Sequence, residues 1–206
     1  NTYESNGRKN YNMMTLPNIL TFFRILITPV FIVCLFEDFA GAHLWALFLF
    51  IIASITDAYD GYYARKNNMV TDTGRFLDPL ADKILVSSAF ISFAIMGLID
   101  FWMVALILFR DLFVTALRII MTRNGFTMMT SRVAKSKTGV QLGIIIFTLI
   151  FLSLKGLGWV LSNEIHLFIH EYELVYYLTA IAVFFTLYTG FSYVQDNQKA
   201  IKEIMN

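Results

Sequence analysis

Long apolar runs separated by short polar links fill this chain, and the apolar positions do not alternate with the period of two that strands require. Runs of ~20 apolar residues are long enough to cross ~30 Å of hydrocarbon as α-helices. Six helices are expected: Asn18–Phe36, Leu44–Ala64, Phe76–Ile99, Phe101–Met121, Thr138–Leu154 and Leu174–Val194. Pro17 suits a first helical turn, where a missing N–H does no harm. Pro29 falls inside the first helix and predicts a kink unless neighbouring contacts compensate. The expected fold class is an all-α polytopic membrane protein with six transmembrane helices. Residues 1–15 are expected to form a polar juxtamembrane arm, and residues 16–206 a single six-helix domain. We expect no cleavable leader.

Composition agrees with that pattern. Of 206 residues, 57% are hydrophobic and 15% charged, against about 25% charge in an ordinary soluble domain. The net charge of +1 points to no particular partner, and no nucleic acid is expected. The lone Cys34 excludes an internal disulfide. Charge distribution is more telling. Arg8, Lys9, Arg65, Lys66, Arg75, Arg118, Arg123, Arg132, Lys135, Lys137, Lys199 and Lys202 fall on one side of the expected bundle. The other side carries Glu37, Asp38, Asp100, Glu164, Glu171 and Glu173, with Lys155 as its cation. The positive-inside rule then places both termini in the cytoplasm. The protein is expected in the cytoplasmic membrane, with its chemistry facing the cytoplasm.

Four acids interrupt the apolar pattern. Asp57 and Asp60 lie three apart near the end of the second helix, and Asp78 and Asp82 four apart on the third. Each interval returns to one helical face. A charge at the centre of a membrane helix costs at least ~2.5 kcal/mol, so a cluster of four demands a function. Hard carboxylate oxygens in this number suit Mg²⁺, Mn²⁺ or Ca²⁺, and the absence of nearby His or Cys argues against zinc. Gly61, Ala64 and Gly74 line the same stretch with almost no side chain, which lets a ligand approach the backbone. Arg65 adds a planar donor suited to phosphate. Purely structural pairing with Arg65, Arg75 and Lys83 would explain one acid more easily than four.

The full spacing reads Asp57-x2-Asp60-Gly61-x2-Ala64-Arg65-x8-Gly74-x3-Asp78-x3-Asp82. It resembles the signature of the CDP-alcohol phosphotransferase family at every fixed position, and the six-helix layout is similar over nearly the whole chain. Supporting segments are Pro17-Asn18-Ile-Leu-Thr21-Phe-Phe-Arg24, Asp78-Pro-Leu-Ala-Asp-Lys83, Arg110-Asp111, Thr115-Ala-Leu-Arg118 and Lys135-Ser-Lys137-Thr138. The resemblance implies displacement of CMP from CDP-diacylglycerol by the hydroxyl of a second alcohol. It implies two divalent cations, Mg²⁺ or Mn²⁺, on Asp57, Asp60, Asp78 and Asp82, with Asp78 and Asp82 catalytic and Asp82 taking the acceptor proton. It also implies nucleotide contacts from Gly61, Ala64, Arg65 and Gly74, membrane lipids as surroundings, and a homodimer. Asn18, Thr21 and Arg24 either add contacts to the CDP group or simply form a helix start with an interfacial arginine.

Arg110 and Arg118 are eight apart on the fourth helix, and Lys135 and Lys137 open the fifth. Convergence of these four would suit the phosphate of sn-glycerol 3-phosphate, the acceptor expected here. Phosphatidylglycerol as acceptor, giving cardiolipin, is the alternative within the family. Loop cations that merely obey the positive-inside rule, or an Arg110 paired with Asp111 or Asp100, are the plainer readings. His166 and His170 share a helical face but lie on the side away from the acids, which suits an outer-loop helix better than a metal site. A divalent-cation carrier would also use the four acids, but it would need acids along a crossing path.

Overall fold

In the computed structural model, the described backbone covers residues 16–37, 39–66, 72–126, 132–154, 160–171 and 173–205. Within these, side chains are described outside 16–21, 57–66, 72–82, 132–135, 160–163 and residues 166, 171, 199 and 205. All regular structure among the described residues is helical. The order is α1 (Leu16–Phe36), α2 (Ala42–Lys66), α3 (Asp72–Ile95), α4 (Phe101–Arg123), α5 (Arg132–Leu154), α6 (Val160–Glu171), α7 (Leu174–Asp196) and α8 (Gln198–Met205). The expected N-terminal arm, residues 1–15, lies outside the described residues.

The six long helices match the six expected ones, with shifted ends. α1 runs through Pro29 without a break in the helix. The third helix was expected to reach Ile99 but stops at Ile95, and Gly97 is the cause. Its φ of +74° is left-handed. The Gly97 N–H bonds to the Ala94 carbonyl at 3.1 Å, and the Leu98 N–H bonds to the Phe93 carbonyl at 3.0 Å. That pair of bonds satisfies the orphan carbonyls of a helix end. Gly125 closes α4 in the same way, at φ +79°, with bonds to Thr122 and Met121. The fifth helix starts earlier than expected, at Arg132. α6 is a helix over the segment of His166 and His170, where an outer-loop helix was expected, and α8 is a short amphipathic helix that the apolar pattern did not announce.

Packing joins the long helices into a closed circuit. α1 packs on α2 and α3, α2 on α5, α5 on α7, α7 on α4, and α4 back on α3. Phe31, Phe50, Phe90, Phe93, Met103, Ile107, Ile145 and Leu149 fill the middle. Phe31 and Phe50 meet with ring centroids 5.7 Å apart. The outer surface is equally apolar: Phe22, Val33, Phe109, Leu112, Ile181, Phe184 and Phe191 all face outward. A helix apolar all round belongs in lipid or deep in a core, and these faces have no protein over them. Residues 136–154 and α7 are each long and apolar enough to cross a bilayer. Buried hydroxyls close onto their own helices: Thr28 donates to the Arg24 carbonyl, Thr148 to Ile144, Ser153 to Leu149 and Thr179 to Val175. Without water to serve them, polar groups must be satisfied internally.

The glycine that ends α3 sets a clear expectation. A Cβ at Gly97 would meet nothing within 4 Å, so Gly97→Ala pays only for the left-handed backbone. That substitution is expected to cost about 1–2 kcal/mol, read as a lower unfolding midpoint in detergent with unchanged helix content by circular dichroism.

Candidate functional site

The aspartate motif occupies two helices. Asp57, Asp60, Gly61, Ala64 and Arg65 stand in the last part of α2, and Gly74, Asp78 and Asp82 in the first part of α3. Both acidic pairs therefore keep the helical intervals that put them on one face of each helix. Their side chains lie outside the described residues, as do those of Asn18, Thr21 and Lys135. The donor set is all carboxylate, which fits a hard divalent cation. Among the described residues, no other group of three His, Cys, Asp or Glu could hold a metal. Arg24 is the described member of the α1 trio. It is 1% exposed, and α1 packs on both motif helices. A guanidinium buried so completely needs polar company, which an interfacial arginine would not.

The described part of the site is a cavity of ≈ 220 Å³ between α3, α4 and α5. Three of the four cations expected to converge do so: Arg110, Arg118 and Lys137 line it. Lys83, which follows Asp82 on α3, is a fourth lining cation. The cavity thus opens beside the helix position of the last motif aspartate.

Asp111 organises this pocket. Its Oδ1 accepts from Arg110 Nη1 at 3.3 Å and from Lys137 Nζ. The pairing of Arg110 with Asp111 is thus present. Asp100, the other candidate partner, instead accepts from the Trp102 indole at 2.9 Å and the Tyr176 hydroxyl at 3.3 Å. Lys83 Nζ donates to Thr115 Oγ1 at 2.7 Å, and Thr115 Oγ1 donates to the Asp111 carbonyl at 2.7 Å.

Arg110 is seated from behind by α7. Its Nε donates to the Thr186 carbonyl at 3.1 Å, and its Nη2 donates to Thr189 Oγ1 at 3.0 Å. The stem of Arg110 lies on Gly190, where an added Cβ would stand 3.0 Å from Arg110 Cγ and 3.2 Å from Nε. A larger residue there would push the Arg110 stem back by a few tenths of an ångström. The partners Thr186, Thr189 and Gly190, and the cavity residues Thr115 and Gln141, were not among the expected site residues. The Thr186-x-x-Thr189-Gly190 spacing inside an apolar helix was the available signal, since it places two hydroxyls and a gap on one side.

The arrangement offers several hydrogen-bond donors around one carboxylate. It can hold a small anion at its cationic lining, with Arg110 fixed in direction and Arg118 exposed. His170 is exposed on α6, at the end of the molecule that carries Asp100 and Glu173. Removing the central carboxylate should be costly. Asp111→Ala strands two mostly buried cations and is expected to cost about 3–5 kcal/mol. The double variant Asp111→Ala/Lys137→Met is expected to recover part of that loss, measured by unfolding in detergent.

Comparison with known proteins adds a family. The family model described as CDP-alcohol phosphatidyltransferase matches residues 14–189. The chain is similar to a Bacillus subtilis protein named CDP-diacylglycerol–glycerol-3-phosphate 3-phosphatidyltransferase, at 37% identity over 92% of this chain and 98% of that one. Proteins of the same name from Rickettsia typhi and Rickettsia bellii are 36% and 38% identical. They match over 88% and 89% of this chain and 96% of each relative.

Proposed function

We infer the reaction from one premise: this chain belongs to the CDP-alcohol phosphatidyltransferase family. It is a membrane enzyme of phospholipid synthesis, and it transfers the phosphatidyl group of CDP-diacylglycerol to sn-glycerol 3-phosphate. The products are phosphatidylglycerophosphate and CMP. The observation that carries the acceptor is the cavity lined by Lys83, Arg110, Arg118 and Lys137, next in the fold to Asp82. Four cations around a small volume favour a free phosphate monoester over the uncharged glycerol head of phosphatidylglycerol. The carrier reading has no such use for them.

In the reaction, a primary hydroxyl of the acceptor forms a new P–O bond to the phosphatidyl phosphorus, and the bond from that phosphorus to CMP breaks. Asp82 takes the hydroxyl proton as the bond forms. Arg110, Arg118, Lys135 and Lys137 hold the acceptor phosphate and aim its far hydroxyl along the line of attack, since phosphoryl transfer depends chiefly on positioning and charge. Gly61, Ala64 and Gly74 give the cytidine close access to backbone, and Arg65 meets its diphosphate. Asn18, Thr21 and Arg24 complete the nucleotide side from α1. Asp57, Asp60, Asp78 and Asp82 would hold two divalent cations, Mg²⁺ or Mn²⁺, which when bound neutralise the phosphate oxygens.

The finer reading follows the sequence. Residues 16–206 form one six-span catalytic domain of the cytoplasmic membrane, with both termini and the site facing the cytoplasm. The working form is a homodimer. Purified protein given CDP-diacylglycerol and Mg²⁺ or Mn²⁺ is expected to release CMP with glycerol 3-phosphate, and not with phosphatidylglycerol or inositol phosphate. Chelation should stop turnover and added Mn²⁺ restore it. Asp82→Asn is expected to lower kcat by ~10²–10⁴ while still binding the CDP-lipid. Indifference to glycerol 3-phosphate, or full activity of Asp82→Asn, would reject the acceptor or the base respectively. Mn²⁺ flux into proteoliposomes without CMP release would instead favour a carrier.

A further inference from the structure

Gln141 is a buried polar group in this cavity that the proposed chemistry does not use. It is 3% exposed, and it lines the pocket with Lys83, Arg110, Asp111 and Lys137. Its Nε2 has no hydrogen-bond partner among the described residues. Buried amide donors are nearly always paired, and an exception calls for a ligand or an ordered water. The neighbouring buried hydroxyls of α5 are satisfied by their own helix, as at Thr148. Gln141 is not.

Its register says what kind of ligand. Gln141 follows Lys137 by four residues on α5, one turn and about 6 Å further along the same face. The cavity therefore offers cations at one level and a neutral donor at the next. A phosphate dianion takes the cations, because charge-assisted bonds are the stronger ones. A neutral N–H₂ matches a neutral oxygen, which on a small phosphorylated polyol is a hydroxyl.

We propose that Gln141 is a specificity-determining residue, its Nε2 donating to the non-reacting C2 hydroxyl of glycerol 3-phosphate. This rests on the acceptor reading above and deepens it. Charge alone selects any phosphorylated primary alcohol. The amide selects among them, because a buried donor left without its oxygen penalises the analogue that lacks it. Gln141 touches neither the bond that forms nor the one that breaks.

The test compares two acceptors. 3-Hydroxypropyl phosphate has the phosphate and the primary hydroxyl of glycerol 3-phosphate but no C2 hydroxyl. With CDP-diacylglycerol and Mn²⁺, the wild-type protein is expected to show kcat/KM on the order of tenfold higher for glycerol 3-phosphate, the worth of one good hydrogen bond. Gln141→Met keeps the length and removes the donor. It should lower kcat/KM for glycerol 3-phosphate on the order of tenfold and leave 3-hydroxypropyl phosphate within about twofold. Retained turnover of the analogue serves as the check that the variant is folded. Equal wild-type rates for the two acceptors would overturn the proposal whatever the variant does. An equal fall for both acceptors in Gln141→Met would also overturn it, assigning the amide to phosphate or to packing. Release of no CMP with either acceptor would sink the acceptor reading itself and the proposal with it.

Discussion

A guanidinium buried midway along an apolar helix has to be answered by oxygen atoms, and in this chain α7 supplies most of them. Arg110 is 8% exposed, and it spends its donors on Thr186, Thr189 and Asp111. Each bond fixes a helix. Thr186 and Thr189 hold α4 against α7. Asp111 holds α4 against α5 through Lys137, and Thr115 holds α4 against α3 through Lys83. Three residues of α4, Arg110, Asp111 and Thr115, thus tie it to three other helices in a bundle otherwise packed largely by Phe, Leu and Ile. Breaking a buried ion pair by removing one partner is far more costly than the pair is worth against an apolar substitute. The network is therefore a poor way to gain stability and a good way to set positions.

The lipid setting explains why those positions hold. Apolar contact between helices gains little where the surroundings are themselves apolar. Close packing and interhelical hydrogen bonds are what remain. Gly190 allows the first, by letting the Arg110 stem lie on the α7 backbone, and Thr186 and Thr189 allow the second. Other buried hydroxyls return their protons to carbonyls of their own helix, as Thr28 and Ser153 do. Gln141 stands apart because its amide can do neither.

The helices were legible because apolar length is a strong signal: α7 and the later part of α5 needed nothing else. The end of α3 was not, because Gly97 stops that helix through a backbone conformation that hydropathy does not register. α8 was missed because eight residues with alternating Lys and Ile carry too little apolar length to stand out. The aspartate motif was legible as spacing. Arg110, Arg118 and Lys137 were legible as candidates for one anion pocket, and the fold brings all three to one cavity. What could not be read was the support behind them. Thr186 and Gly190 lie 76 and 80 positions from Arg110 in the chain, and their spacing marks a polar side of α7 without naming Arg110 as what sits there. Asp111 looked like one of two possible partners, and only the approach of Lys137 from α5 made it the shared one.

The carboxylate of Asp111 has a consequence for turnover. On the activity proposed here, the acceptor phosphate is chemically the same before and after transfer, so the side chains that grip it hold substrate and product equally. Such binding lowers KM without raising kcat, and in excess it delays departure of the product. Asp111 already occupies Arg110 and Lys137, so an arriving phosphate must compete with a tethered anion for its own binding groups. The pocket's affinity is thereby capped from within. A lipid product leaving sideways into the bilayer does not have to break the full strength of four cations to go.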